Sequence, residues 1–209
     1  MRRSRVFNFR GLHKFLEFVV YNKMLIILSL FFLTGLIIGV FYYGNSKTVD
    51  AFIKENFSVF LNERASYKFA KILLDCFFGY MLYLVFGFVL GASMLGSIFL
   101  PLFLSFKGIL YGLTAALLYS EYSLKGIAFY TLLILPSAVI FSVLLIFAVS
   151  ESMRFSLLLV RSSLVKSNND LSFDFKNFCI KYLSFVLGVF LCALVDSFLS
   201  LKLINSFSL

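Results

Sequence analysis

The chain has 209 residues, of which 61% are hydrophobic and only 14% charged, with 29 Phe and a mean hydropathy of +0.99. A soluble domain of this size cannot hide that much apolar surface, which excludes an ordinary water-soluble enzyme or binding domain. The net charge of +9 would direct a soluble chain to nucleic acid, but here six basic residues precede the first apolar run. That placement reads as membrane topology and contact with anionic headgroups, so no nucleic-acid partner is expected.

Residues 1–23 carry Arg2, Arg3, Arg5, Arg10, Lys14 and Lys23, with Leu12, Phe15, Leu16 and Val19 at helical spacing. This predicts a short interfacial helix leading into the bilayer. Residues 24–43 are twenty uncharged positions, enough for a first span and too long for a signal-peptide core. From 44 to 71 the chain turns polar, while Val49, Phe52, Ile53, Phe57, Phe60 and Leu61 recur near a helical period. The pattern predicts an amphipathic helix lying on the outer leaflet, with a docking surface for an extracellular partner as the sharper alternative.

A second span is expected at 72–92, followed by a tight turn marked by Gly91, Ser93, Gly96 and Ser97. The third covers 97–119, where Pro101 in the first turns is tolerable. Glu121 to Lys125 forms a short polar break. The fourth span covers 126–149, and Pro136 near its middle predicts a kink because it frees a carbonyl. Residues 150–181 are mixed: the first half extends the helix along the surface, and 167–176 read as a loop. The fifth span, 182–201, carries Asp196.

The fold class is therefore all-α, a multi-pass transmembrane bundle of about five spans in one integral membrane domain. Its orientation follows from the basic residues. With the N-terminus inside, eleven Lys/Arg lie inside: the first six, then Arg154, Arg161, Lys166, Lys176 and Lys181. Seven lie outside: Lys47, Lys54, Arg64, Lys68, Lys71, Lys125 and Lys202. The bias favours N-terminus inside and C-terminus outside.

Between Cys76 and Ser120, forty-five residues contain one charged side chain, Lys107. An ionisable group at that depth must face protein or water. Gly108, Gly112 and Ala116 follow it at four-residue steps, a small-residue stripe that admits a neighbouring backbone. Lys107 is expected roughly 15 Å from the inner boundary and Asp196 roughly 20 Å, at ~1.5 Å rise per residue. A lysine stem covers the difference, so a buried Lys107–Asp196 ion pair is the candidate, with Asp75 a weaker partner near the outer boundary. Cys76, Cys179 and Cys192 are lone thiols and His13 is the single histidine, so neither a metal nor a disulfide framework is indicated. Without a GxSxG, HExxH or nucleotide loop, no catalytic residue and no cofactor are expected.

Gly96, Leu104, Lys107, Gly108, Gly112, Thr114, Lys125, Gly126, Leu135 and Pro136 together give a pattern that resembles the stage II sporulation protein M family of Gram-positive spore formers. The basic N-terminus, five-span layout and amphipathic first loop agree with it. Ala116 stands at the family's third glycine, Pro101 is displaced from its turn and Ala138 replaces an Asn, so the chain resembles a divergent member. The resemblance implies a non-enzymatic scaffold of the bacterial plasma membrane, part of a sporulation and engulfment complex with peptidoglycan hydrolases. Its partners would be the bilayer and membrane or extracytoplasmic proteins, with self-association left open. The rival reading is a permease or the membrane subunit of a transporter, motivated by glycine-broken spans, kinked span four and buried Lys107.

The topology is tested with a reporter active only outside the cell. Fusions after Leu209 or within 44–71 should be active, and a fusion within 163–174 silent. Activity at 163–174 would overturn the five-span arrangement.

Overall fold

The computed structural model describes residues 23–45, 47–164 and 171–203, with side chains described except at 47–49, 60–63, 65–66, 171–172 and 203. The expected interfacial helix before Lys23, with His13, lies outside the described residues. Among those described the chain is helical and has no strand: α1 (Lys23–Tyr42), α2 (Lys47–Ser66), α3 (Phe69–Gly91), α4 (Gly96–Phe129), a π-helical turn (Tyr130–Ile134), α5 (Leu135–Leu164) and α6 (Leu171–Leu203).

Among the described residues, four runs are long and apolar enough to cross a membrane: α1, α3, residues 96–164, and 173–202 of α6. The third is 69 residues long, about 100 Å at ~1.5 Å per residue and more than twice a bilayer's thickness. It folds back on itself at Ser123, whose φ of 48° and ψ of −127° match the first central position of a type II′ turn, usually glycine. Gly126 makes the reversal possible, since a Cβ there would collide with the Leu118 carbonyl. The two arms are antiparallel: the Ser97 amide, at the start of α4, donates to Ser156 Oγ near the end of α5 (3.0 Å). Counted this way, five segments cross among the described residues.

Pro136 acts in an unexpected form. Its missing N–H is accommodated one turn earlier by the π-helical turn, where the Leu135 amide bonds to the Tyr130 carbonyl five residues back. Ser137 Oγ donates to the Ile134 carbonyl beside it (3.1 Å). Of the expected loop at 167–176, residues 167–170 lie outside those described, and the rest is corrected: α6 already begins at Leu171. Asn and Asp composition suggested a turn, but Phe175 and Phe178 pack on Phe155, and Phe178 stacks between Phe155 (4.6 Å) and Phe88 (5.1 Å). Tertiary packing overrides local preference there.

Packing between helices relies on small residues, because lipid gives no hydrophobic reward for helix association. Helix α1 packs mainly on α4, and the two run parallel. A Cβ on Gly108 would meet the Phe32 carbonyl and one on Gly112 the Leu36 carbonyl. In return, a Cβ on Gly35 would meet the Ser105 carbonyl and one on Gly39 the Ile109 carbonyl. Ser105 Oγ donates across this seam to the Phe31 carbonyl (2.8 Å). Helices α3, α5 and α6 form the remaining core, where Gly91 abuts Ser152 and Ser152 is hydrogen-bonded to Tyr182.

The short link from α1 to α2 turns at Gly44, whose φ of 87° needs glycine. Its amide donates to Asp50 Oδ1 (3.1 Å), which fixes the start of α2 against the end of α1. Helix α2 then folds across one end of the bundle. Phe57 enters a pocket of Leu117, Leu118, Phe129 and Leu133, and Ile53 packs beside it. Of the expected apolar set, Ile53 and Phe57 are turned onto the chain's own helices, while Phe52 stays exposed. The side chains of Val49, Phe60 and Leu61 lie outside those described.

Replacing Gly112 or Gly35 with Leu should drive α1 from α4 and lower accumulation, with insertion intact. Gly79→Ala, where an added Cβ meets nothing within 4 Å, is the matched control. Equal accumulation and thermal stability of all three would show that the seam does not hold the bundle together.

Candidate functional site

Beneath α2 lies a cavity of about 420 Å³, the size of a small-molecule pocket. Arg64, Asp75, Tyr80, Lys107 and Asp196 line it, together with aromatic and aliphatic side chains from α2 to α5. It therefore brings together both members of the expected ion pair, yet they do not pair.

Asp196 is bound by Arg64 instead. Arg64 Nη1 donates to Asp196 Oδ1 (2.8 Å) and Nη2 to Oδ2 (2.9 Å), a bidentate fork. Tyr80 OH also donates to Oδ2 (2.9 Å). The guanidinium further reaches Ser200 Oγ and Cys76 Sγ. Both side chains are well covered, Arg64 at 12% exposure and Asp196 at 7%. Burial opposes the Arg64 charge, but the hydrogen bonds and charge of Asp196 outweigh it and raise the guanidinium pKa.

The Lys107–Asp196 pair is thus corrected, and for a physical reason. Axial depth allowed a lysine to reach, but both carboxylate oxygens are already occupied. A planar guanidinium fills that geometry with two bonds where an ammonium offers a point charge. The guanidinium comes from the first loop and not from a span, so comparing depths within the spans does not point to it. One signal was available: Arg64 lies seven residues after Phe57 and eleven after Ile53, so a charge interrupts the apolar face of α2.

Lys107 has a different environment. Its Nζ sits 3.8 Å from the Tyr83 ring centroid, 4.7 Å from Tyr111 and 5.8 Å from Phe141. Three rings from α3, α4 and α5 therefore surround the ammonium at cation–π range. Among the described residues no carboxylate pairs with it, and its residue exposure is 9%. Gly108 and Gly112 sit on the α1 seam and not in the cavity, Ala116 is half-buried further along α4, and Pro136 follows the π turn outside the cavity lining. Asp75 is exposed at the rim.

Below the cavity, Tyr83 and Phe86 contact Phe103 (6.1 and 6.5 Å), filling the seam between α3 and α4. Among the described residues no group of three His, Cys, Asp or Glu comes together. Cys76 and Cys192 are buried and Cys179 is half-buried, each a free thiol.

Comparison with known families matches residues 28–201 to Stage II sporulation protein M. The chain belongs to the stage II sporulation protein M family. The matched region runs from within α1 nearly to the end of α6, so it takes in the helix α2, its anchor Asp196 and the Lys107 cage. No curated protein and no solved structure matches the chain. In this family member, the polar centre is a loop helix clamped to the membrane bundle, with a separate caged lysine beneath it.

A double-mutant cycle separates the two charges. Arg64→Met or Asp196→Leu alone strands a buried partner and should cost about 3–5 kcal/mol, much of it recovered in the double mutant. Lys107→Met with Asp196→Leu should instead be additive within roughly 0.5 kcal/mol. Thermal unfolding of the detergent-purified protein measures both, and additivity of the first pair would refute the Arg64–Asp196 clamp.

Proposed function

We propose that the protein is a non-enzymatic scaffold of the bacterial plasma membrane that localises partner proteins during sporulation. Its partners are membrane or extracytoplasmic proteins, with peptidoglycan hydrolases of an engulfment complex the expected class. Family membership supports the sporulation setting. The observation that carries the scaffold reading is the fixed position of α2.

Three anchors hold that helix: Phe57 in its pocket, Lys54 on Glu121 (2.7 Å) and Arg64 on Asp196. Its other side presents Phe52, 63% exposed, and Val59, 49% exposed. They are seven residues apart, hence on one face. A helix whose pose is set by the bundle offers an apolar ridge without an ordering cost on binding. With the N-terminus inside, as the basic residues favour, this ridge faces the side where the cell wall is made. Transport is less well supported, since ring contacts close the cavity's lower end.

Phe52→Glu combined with Val59→Glu should abolish co-purification of crosslinked wall hydrolases while leaving protein level unchanged. Persisting recruitment by this double variant would refute the ridge as the platform. Co-elution of an ATPase in place of hydrolases would support a transporter subunit.

A further inference from the structure

The scaffold reading leaves the cavity and Lys107 unused. A buried ammonium in a membrane bundle is costly, and its nearest neighbours are aromatic rings, not a carboxylate. Tyr83 and Tyr111 line the same cavity, and their hydroxyls hydrogen-bond to no described residue. By contrast, Tyr80 and Arg64 are committed to Asp196, Thr114 donates to the Leu110 carbonyl of its own helix and Ser137 to the Ile134 carbonyl of the π turn. The cavity floor thus offers one cation and two hydroxyl donors.

Access is from the side. Towards α2 from the Tyr83–Phe103 contact, the α3 wall carries Gly79, which has no neighbour within 4 Å of a built Cβ, and the exposed Asp75. The flanking surfaces are apolar and exposed: Leu74, Phe78 and Leu82 on α3, Leu102 and Phe106 on α4. Such surfaces on membrane-crossing helices face lipid, so whatever enters between them arrives from the bilayer. Asp75 lies eight residues from Tyr83, roughly 12 Å along α3 at ~1.5 Å per residue. At that distance it marks the rim and does not neutralise the floor.

We propose that this cleft binds the phosphate of an anionic membrane lipid, with Lys107 as counter-ion and the Tyr83 and Tyr111 hydroxyls as donors. Charge-assisted bonds to an ammonium compensate a phosphate drawn below the headgroup level. The acyl chains remain on the apolar flanks of α3 and α4. Arg64 and Asp196 neutralise each other and stay spectators at the wall.

The test is native mass spectrometry of the full chain in detergent, titrated separately with phosphatidylglycerol, phosphatidylcholine, diacylglycerol and inorganic phosphate. One phosphatidylglycerol should bind about tenfold more tightly than the other two lipids, equivalent to about 1.4 kcal/mol. Lys107→Met should erase that preference. Gly79→Leu, which fills open space at the rim, should reduce occupancy with an unchanged melting temperature. If Lys107→Met does not accumulate, Gly79→Leu decides alone. Equal binding of phosphatidylglycerol and diacylglycerol, or binding unchanged in the variants that fold, would overturn the proposal as annular lipid contact. Phosphate binding lost in Lys107→Met but indifferent to Gly79→Leu would identify free phosphate as the occupant and overturn the lipid assignment. Neither result bears on partner recruitment, which is read on the other face of α2.

Discussion

The fork between Arg64 and Asp196 joins parts of the chain that hydropathy alone would leave independent. Arg64 belongs to the polar stretch after the first span, and Asp196 to the last crossing helix. Tyr80 and Cys76 from α3 complete the contact, so one guanidinium links three helices. The arrangement is demanding in both directions. A carboxylate in a crossing helix needs a partner, and a guanidinium drawn under a loop helix needs every donor placed. Each charge is therefore tolerable only while α2 is seated, which makes the pose of α2 part of the bundle.

Seating α2 also depends on the rest of the packing. Phe57 fits only because α4 and the π turn place Leu117, Leu118, Phe129 and Leu133 around it. That pocket sits at the hairpin made by Ser123 and Gly126, where the two arms of the longest apolar run converge. The π turn before Pro136 therefore does more than absorb a missing donor. It contributes Leu133 to the socket of the loop helix. Elsewhere the same constraint, the lack of a hydrophobic drive between helices in lipid, is met by backbone approach. Gly35 and Gly39 interlock with Gly108 and Gly112, each pair vacating the space the other's carbonyls occupy.

The crossing helices were legible in the sequence because their signal is a sum over twenty residues and needs no partner. The polar break from Glu121 to Lys125 marked the reversal, and Pro136 marked a real irregularity although its form is a π turn. The Gly108 stripe was visible, while its mate at Gly35 and Gly39 was legible by the same spacing and went unread. What could not be read was which charges meet. Depth arithmetic compares positions along the bilayer normal and says nothing of azimuth, nor of a loop that folds back. Lys107 and Asp196 do reach one cavity, yet the carboxylate's two oxygens are taken by Arg64, a residue of the first loop that the charge count places outside. Early entry into α6 was hidden for a related reason: Ser, Asn and Asp speak for a turn, and only distant Phe155 makes Phe175 and Phe178 helical core.

Asp196 and Lys107 line the same cavity under opposite solutions. Asp196 accepts three hydrogen bonds, two from Arg64 and one from Tyr80, with both oxygens engaged. Lys107 has ring faces, which stabilise a cation without saturating its three N–H donors. Structural charges in a membrane are held by closing every bond, because an open bond in that medium costs stability. Among the described residues Lys107 has no carboxylate partner of this kind, and its Nζ is held among three rings alone. The asymmetry between the two residues, and not the presence of either charge, is what separates the part of the site that holds the fold from the part proposed to meet a ligand.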